Sequence, residues 1–339
     1  MQSKPPRDFG RLQWPTMEEE RFKDQIEPPS SAGASSESSP RGPFGRDVVR
    51  HPLVLVIVAL VFGAAVGLAS QLGSHPAKAP ASGAVPSSSA AQAGTLSTSL
   101  PSAGMHLTFD QTFTGSSLNT QVWNTCFYYA PKGSGCGDFA DKEVQWYLPS
   151  QDQVSGGVLH LVASPVPALG TNANSQPEIY ACRSGMVTTD PSFDFTYGYL
   201  QIVARIPKGQ NTWPTLWMLP ANHTTDVPSI SIMDVIGTAT DRPSMIFAPA
   251  VGTPNTRSAT TADLSSGWHT FVLNWEPGAL TWFIDGNAVF TVTTQVPNQP
   301  MYLLANLAIT DQYSPLRLPA SCTGSLSIRS VQVWQHKPG

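Results

Sequence analysis

Charge is what this sequence has least of. Only 12% of its 339 residues are Asp, Glu, Lys or Arg, against about 25% in an ordinary soluble domain. The formal net charge is −4, and no basic stripe with interleaved aromatics runs through the chain, which argues against a nucleic-acid partner. Cysteine is scarce: Cys126, Cys136, Cys182 and Cys322 are the full set. No CxxC or paired-histidine spacing accompanies them, so a metal site is a poor reading and no cofactor is expected. The first hundred residues are poor in aromatics, and eight of the nine tryptophans come after them. No long amphipathic helix is legible anywhere beyond residue 105.

What is present divides the chain into four parts. Residues 1–50 are polar and include the run PPSSAGASSESSP from Pro28 to Pro40. Such a segment buries too little apolar surface to offset its ordering entropy, so a disordered cytoplasmic tail is expected. Residues 52–72 carry no charge and supply the roughly 20 helical residues that a bilayer core requires. A single transmembrane helix is therefore expected over 51–73. A buried core helix would show polar positions at helical spacing, and a signal peptide would be shorter and begin earlier, which leaves a late-starting signal cleaved beyond Ala69 as the remaining alternative. Arg41, Arg46 and Arg50 precede the run while only Lys78 follows closely. The positive-inside rule then puts the N-terminus in the cytoplasm and the C-terminal bulk outside, as in a single-pass protein of the plasma (inner) membrane. Residues 74–104, rich in Ser, Ala and Pro, read as a spacer.

From about Met105 to residue 339, short runs of β-branched and aromatic residues recur between Gly, Pro, Asn and Asp. Val158-Leu-His-Leu-Val-Ala, Tyr199-Leu-Gln-Ile-Val-Ala-Arg-Ile, His269-Thr-Phe-Val-Leu-Asn-Trp, Leu280-Thr-Trp-Phe-Ile and Leu326-Ser-Ile-Arg-Ser-Val-Gln-Val-Trp are examples. Many alternate with period two, the pattern of half-buried strands in an all-β sandwich or barrel. Asp285-Gly286-Asn287 between two such runs is a hairpin turn signal. An even cysteine count on the oxidising side of a membrane points to two disulfides. Three pairings are open; Cys126–Cys136, which closes a short loop, with Cys182–Cys322 is the first choice.

The informative stretch is Trp213-Pro-Thr-Leu-Trp-Met-Leu-Pro220 followed by Pro228-Ser-Ile-Ser-Ile-Met-Asp-Val-Ile-Gly237. With Leu107-Thr-Phe-Asp, Glu143-Val-Gln-Trp-Tyr, Tyr197 through Pro214, Gly267-Trp-His-Thr-Phe, Trp282-Phe-Ile-Asp-Gly and Met301-Tyr-Leu-Leu-Ala-Asn-Leu-Ala in order, it resembles glycoside hydrolase family 16, the laminarinase and lichenase group. The resemblance covers most of residues 105–336. It implies a concanavalin A-like β-jelly-roll sandwich of two antiparallel sheets, behind the single transmembrane helix.

The family's catalytic strand resembles Glu-Ile-Asp-Ile-Met-Glu, with the first Glu as nucleophile, the Asp assisting and the last Glu as acid/base. The matching positions here are Ser229, Ser231 and Asp234. Alternate strand residues share a face, and a bulge at Met233 would return Asp234 to the face of the two serines. Asp234 remains a candidate acid/base, while Ser229 and Ser231 mark a lost nucleophile and a lost assisting carboxylate. Asp226, in the preceding loop, is a weaker candidate for a second carboxyl. Trp213 and Trp217 are the best candidates for sugar contact, since an indole offers broad apolar area; Tyr147, His269, Trp275 and Asn306 are weaker ones. Arg205 is family-like in position and either pairs with a carboxylate or is solvated. Asn222-His-Thr matches an N-glycosylation acceptor. The family often carries a structural calcium ion, but no ligand cluster for one is evident here.

The expectation is a membrane-anchored domain that binds β-glycan with catalysis lost or impaired. Its alternatives are a working glycosidase or transglycosylase with a rearranged site, and a scaffold in polysaccharide export. Protein partners are left open.

Overall fold

The structure, a computed structural model, describes residues 101–138 and 143–337. The expected tail, the expected transmembrane helix and all but the end of the spacer lie outside the described residues. Among the described residues no helix is long and apolar enough to cross a membrane.

Two antiparallel sheets face each other, as the resemblance implied. The outer sheet runs Asn287–Val292, Ala279–Ile284, His269–Glu276, Gly198–Arg205, Gly324–His336, Val158–Ala163, Asp152–Ser155, with Met105–Gln111 also on Gly324–His336. The inner sheet runs Asn255–Ser258, Ser244–Ala248, Ser229–Asp234, Thr212–Pro220, Met301–Ile309, Met186–Thr188, with Asp194–Phe195 also on Met301–Ile309. Outer strands show the alternation read from sequence: Val158–Ala163 and Ala279–Ile284 bury every second residue. Ile284 pairs with Asn287, so Asp285 and Gly286 form a two-residue turn, both with positive φ (50° and 79°). That is the backbone a type I′ hairpin demands, and Asp-Gly is suited to it.

Met301–Ile309 has no exposed position at all. Its Met301, Leu303, Leu307 and Ile309 enter the core between the sheets, beside Leu200, Leu216, Phe271, Trp275 and Trp282. Its Tyr302 and Leu304 join a second cluster on the opposite face, with Cys126, Phe127, Cys136, Tyr147 and Leu219. A strand covered on both sides reads as a continuous apolar run rather than an alternation. Both first-choice disulfides are present, Cys126–Cys136 and Cys182–Cys322, each with a Cα–Cα distance of 5.9 Å, inside the usual span.

One buried acid stands outside any functional cluster. Asp152 begins an outer strand and is 8% exposed, and among the described residues neither carboxyl oxygen has a well-formed hydrogen bond, the Met186 backbone N–H being its nearest donor. A Cβ on Gly185 would lie 2.5 Å from Asp152 Oδ1, so only glycine fits there. Burial pushes the Asp152 carboxyl well above the usual carboxylate range, with the nearby Met186 backbone N–H offsetting it in part. A group raised in the folded state favours folding most below its unfolded pKa, near 4, and that contribution is lost as pH rises through the folded value. Asp152→Asn is neutral at every pH. It is therefore expected to stabilise the protein at pH 7 by about 1–3 kcal/mol, with the gain shrinking toward pH 4. Thermal melts of the two proteins from pH 4 to 8 check this; a gain that does not vary with pH contradicts it.

Candidate functional site

The site is built on the outward face of the inner sheet. In Thr212–Pro220, Leu216 and Met218 point into the core, which turns Trp213, Thr215, Trp217 and Leu219 to the opposite face. Thr215 pairs with Asp234, Leu216 with Met233, Trp217 with Ser231 and Met218 with Ile230. Ile232 is left without a partner on this side, and the register shifts there. Ile230, Ile232 and Met233 all lie in the core. Two core residues in succession are possible only at a bulge, and their consequence is that Ser229, Ser231 and Asp234 share the outward face. The ladder to Ser244–Ala248 shifts at the same place. From the outer sheet, the fully buried Trp282 donates its indole N–H to the Ser231 carbonyl at 3.0 Å.

Hydrogen bonds fix the side chains of this face. Trp213 Nε1 donates to Asp234 Oδ1 at 3.0 Å, and Asp234 is only 8% exposed. Trp217 Nε1 donates to Asn306 Oδ1 at 2.8 Å, and Asn306 Nδ2 donates to Tyr147 Oη at 3.0 Å. The Tyr147 hydroxyl also bonds Glu143, whose carboxylate accepts from Gln145 Nε2. Gln145 Oε1 in turn accepts from the Ile309 backbone N–H at 2.7 Å. Burial, with the Glu143 charge beside it, pushes the Tyr147 phenol well above its ordinary range, against a smaller opposing pull from Asn306. It stays protonated, as a donor to Glu143 must.

The Cys126–Cys136 loop closes one end of the floor. Phe127 meets Trp217 and Tyr147 edge-on, each with ring centroids 6.3 Å apart. Tyr128 and Tyr129 are exposed. Tyr128 stacks on His223 with centroids 4.4 Å apart, and His223 Nε2 lies 2.7 Å from Asp190 Oδ1. Asp226 is half-buried, and burial raises its carboxyl above the usual range. Its charge adds to burial in raising the Tyr128, Tyr129 and Tyr302 phenols. Asp226 therefore faces this tyrosine group. Tyr302 pairs with Leu219, at the Ser229 end of the floor, whereas Asp234 stands at the level of Thr215.

Trp213, Trp217, Ser229, Ser231, Asp234 and Asn306 are thus brought onto one surface, and Asp226 stands near its end. Three sequence candidates are placed elsewhere. Trp275 is fully buried between the sheets, its indole donating to the Pro297 carbonyl at 3.1 Å. His269 starts a strand of the outer sheet and is tied to Asp285 Oδ2 at 2.7 Å beside the hairpin turn. Both follow from the alternation of His269–Glu276, which sends Phe271, Leu273 and Trp275 into the core. Tyr147 is 0% exposed, so it braces the floor through Asn306 and does not face a ligand. Among the described residues Arg205 has no carboxylate partner; it is exposed and lies over the Trp268 ring.

Sequence reading missed Glu143 as a member of the site, along with Tyr128, Tyr129 and His223. For Glu143 the signal was present: alternation in Glu143-Val-Gln-Trp-Tyr puts Glu143, Gln145 and Tyr147, three hydrogen-bonding side chains, on one face. His223 was hidden inside a segment legible only as a glycosylation acceptor. Among the described residues no three His, Cys, Asp or Glu side chains converge where they could hold a metal ion. The surface offers broad indole faces, neutral hydroxyl and amide groups, and one strand-borne carboxylate, a combination suited to a ligand with apolar faces edged by hydroxyls.

Comparison with known proteins agrees with that chemistry. Residues 159–314 match the family model for glycosyl hydrolases family 16. The chain is 32% identical over 205 residues to endo-1,3-1,4-beta-glycanase ExsH of Rhizobium meliloti (strain 1021), covering 56% of this chain and 42% of that protein. It spans about two fifths of the length of three of the curated relatives it matches, 42%, 43% and 38%. The catalytic domain of an endo-1,3-beta-glucanase (laminarinase) from Thermotoga petrophila RKU-1 superposes with a TM-score of 0.60 at 21% identity, over 69% of this chain and 99% of that one. A non-specific endo-beta-1,3(4)-glucanase in a glutamate-to-serine variant superposes equally well, at 0.60 and 21% identity, over 70% of this chain and 96% of that one. That variant was co-crystallised with 1,3-beta-D-cellotriosyl-glucose and presents 1,3-beta-D-cellobiosyl-glucose at its active site.

The bond from Trp282 to the bulged strand is separable from the packing of its ring. Trp282→Phe is expected to cost about 1–3 kcal/mol by leaving the Ser231 carbonyl short of a donor, and Trp282→Ala about 3–5 kcal/mol by adding a cavity. Denaturant unfolding of both variants measures the difference; no loss in Trp282→Phe would assign the whole effect to packing, and equal losses would assign it to the hydrogen bond.

Proposed function

Since the sandwich domain belongs to glycosyl hydrolase family 16, an endo-β-glucanase-like carbohydrate-active domain by its relatives, we propose that it binds a β-glucan in this cleft and holds it without cleaving it. The observation that carries the reading is the shared face of Ser229, Ser231 and Asp234 between the half-buried Trp213 and Trp217. A retaining glycosidase needs two carboxyl groups about 5–5.5 Å apart, one to attack and one to protonate. The strand Ser229–Asp234 supplies a single carboxyl. By the resemblance, Ser229 stands at the nucleophile position, and its hydroxyl needs an adjacent base to attack; among the described residues no histidine is hydrogen-bonded to it. Asp234 is one methylene shorter than the family's Glu and is engaged by the Trp213 indole. The serine variant of a related glucanase that still presents a glucan at its active site supports binding in the absence of a carboxylate.

A second reading has one observation in its favour. Asp226 stands at the Ser229 end of the floor, and burial raises its carboxyl, the direction a general acid requires. Asp226 and Asp234 would then form a rearranged pair.

The reading extends to location. An uncharged run over 52–72, flanked by Arg41, Arg46 and Arg50 on one side and Lys78 on the other, supports a domain tethered to the outer side of a membrane by the spacer 74–104.

Calorimetry and reducing-end release, both on laminarin and mixed-linked glucan, test the proposal. Binding without release is expected. Trp213→Ala with Trp217→Ala is expected to weaken binding about tenfold or more, and activity is expected only in Ser229→Glu/Ser231→Asp/Asp234→Glu. Release by the natural sequence that disappears in Asp226→Asn or Asp234→Asn would establish the second reading instead.

A further inference from the structure

We propose that the outward face of the outer sheet, on the other side of the sandwich from the cleft, carries a second site for an anionic group borne on a glycan. The site is Arg205, Arg329, Trp268 and His160. It shares no residue with the cleft and does not depend on the cleft's function.

A second bulge builds it. Between Gly198–Arg205 and Gly324–His336, Val203 pairs with Ser330 and Ala204 with Ile328, leaving Arg329 as the extra residue. Ile328 and Val331 are core residues, so Arg329 and Ser330 both turn outward, and a residue that strict alternation would bring round differently is re-aimed. The Arg329 guanidinium carbon lies 4.2 Å from the Trp268 ring centroid, and that of Arg205 lies 5.6 Å from the same ring. Arg205 pairs across the ladder with Ser327, and Ser327 with His160. The Ser327 hydroxyl, covered between them, lies 3.1 Å from His160 Nδ1, which leaves Nε2 for a ligand. Arg205 and His160 are two strands apart, about 10 Å at the usual spacing.

Both guanidinium groups are exposed. Among the described residues the ion pairs are Lys208–Asp263, His223–Asp190, Arg242–Asp241 and His269–Asp285, so neither arginine has a carboxylate partner. Asp263, close in sequence to Trp268, is already engaged by Lys208, Thr240 and Ser265. Two guanidinium groups set over one indole are held by cation–π attraction and lose less freedom on binding. Their donor geometry matches a carboxylate or sulfate bidentately. A lone anion would use only the forks. A flat row that continues to an imidazole two strands away fits a chain laid across the strands, its charged substituent on the arginines and its hydroxyls toward His160.

The test is calorimetry of the full-length protein with polygalacturonate, dextran sulfate, laminarin and anionic phospholipid vesicles. Binding of at least one acidic glycan is expected, weakened about tenfold or more in Arg205→Gln/Arg329→Gln, with laminarin binding unchanged. Polygalacturonate and dextran sulfate distinguish carboxylate from sulfate. Lys132→Gln/Arg317→Gln removes the same charge elsewhere and is expected to leave binding intact. No binding of either acidic glycan, an equal loss in the Lys132/Arg317 control, or no loss in the Arg205/Arg329 variant overturns the proposal. Vesicles held through these arginines in the absence of acidic-glycan binding overturn it in favour of a lipid surface.

Discussion

The cleft depends on an irregularity one residue long. Ile232 and Met233 both face the core, and the register shift they impose is the only reason Asp234 emerges on the same side as Ser229 and Ser231. Without that extra residue, strict alternation from Ser231 would send position 233 outward and bury 234. A bulge gives up regular ladder bonding, and an apolar core holds no water to compensate. The Trp282 indole reaches across from the outer sheet and supplies a donor to Ser231 at 3.0 Å. The shape of the binding face is thus set from behind, by core packing and one hydrogen bond between sheets.

The front of the floor is stabilised independently. Met301–Ile309 is buried on both faces because the Cys126–Cys136 loop and Tyr147 cover what would otherwise be the cleft bottom. From Trp217 the chain of bonds through Asn306 and Tyr147 to Glu143 and Gln145 ends on the backbone of Ile309. Each buried polar group in that chain has a partner, the condition under which a polar network orders a site instead of weakening it. The indole of Trp217 is therefore held with its edge bonded, leaving its face for contact, an arrangement that limits the entropy lost when a ligand packs on it.

Period-two alternation made the outer strands and the Asp285-Gly286 hairpin legible, because each has one wet face and one dry one. Met301–Ile309 shows no alternation for the opposite reason, and the family resemblance placed it. The disulfide pairing was also foreseen, though spacing alone left three choices. The failures share a cause. His269 and Trp275 sit in a strand pattern as good as that of Trp213 and Trp217, and nothing local says which sheet a strand joins or which face looks outward. Asp226 had an unknown aim for the same reason: the loop that carries it has no period, and only the tertiary fold brings its charge near Tyr128, Tyr129 and Tyr302. The bulge that exposes Arg329 was equally invisible, since an extra residue is defined only against its partner strand.

The two readings of the cleft differ in where electrostatic work is done. Double displacement needs two carboxyls close enough to repel, one ionised and one kept protonated, and the environment must push their pKa values apart. Holding like charges together near a dry sheet is costly, and sites built for chemistry tend to carry such destabilisation. Hydroxyls at positions 229 and 231 remove that conflict from the strand. Asp234 then has no second carboxylate on its own strand and accepts a hydrogen bond from the Trp213 indole. A donor that already bonds the resting carboxylate favours the state before reaction, whereas rate acceleration requires interactions that strengthen in the transition state. On the proposed reading the face between Trp213 and Trp217 holds a glucan without breaking it, whereas on the alternative reading the chemistry draws on Asp226, an acid near the floor's far end whose burial favours its protonated form.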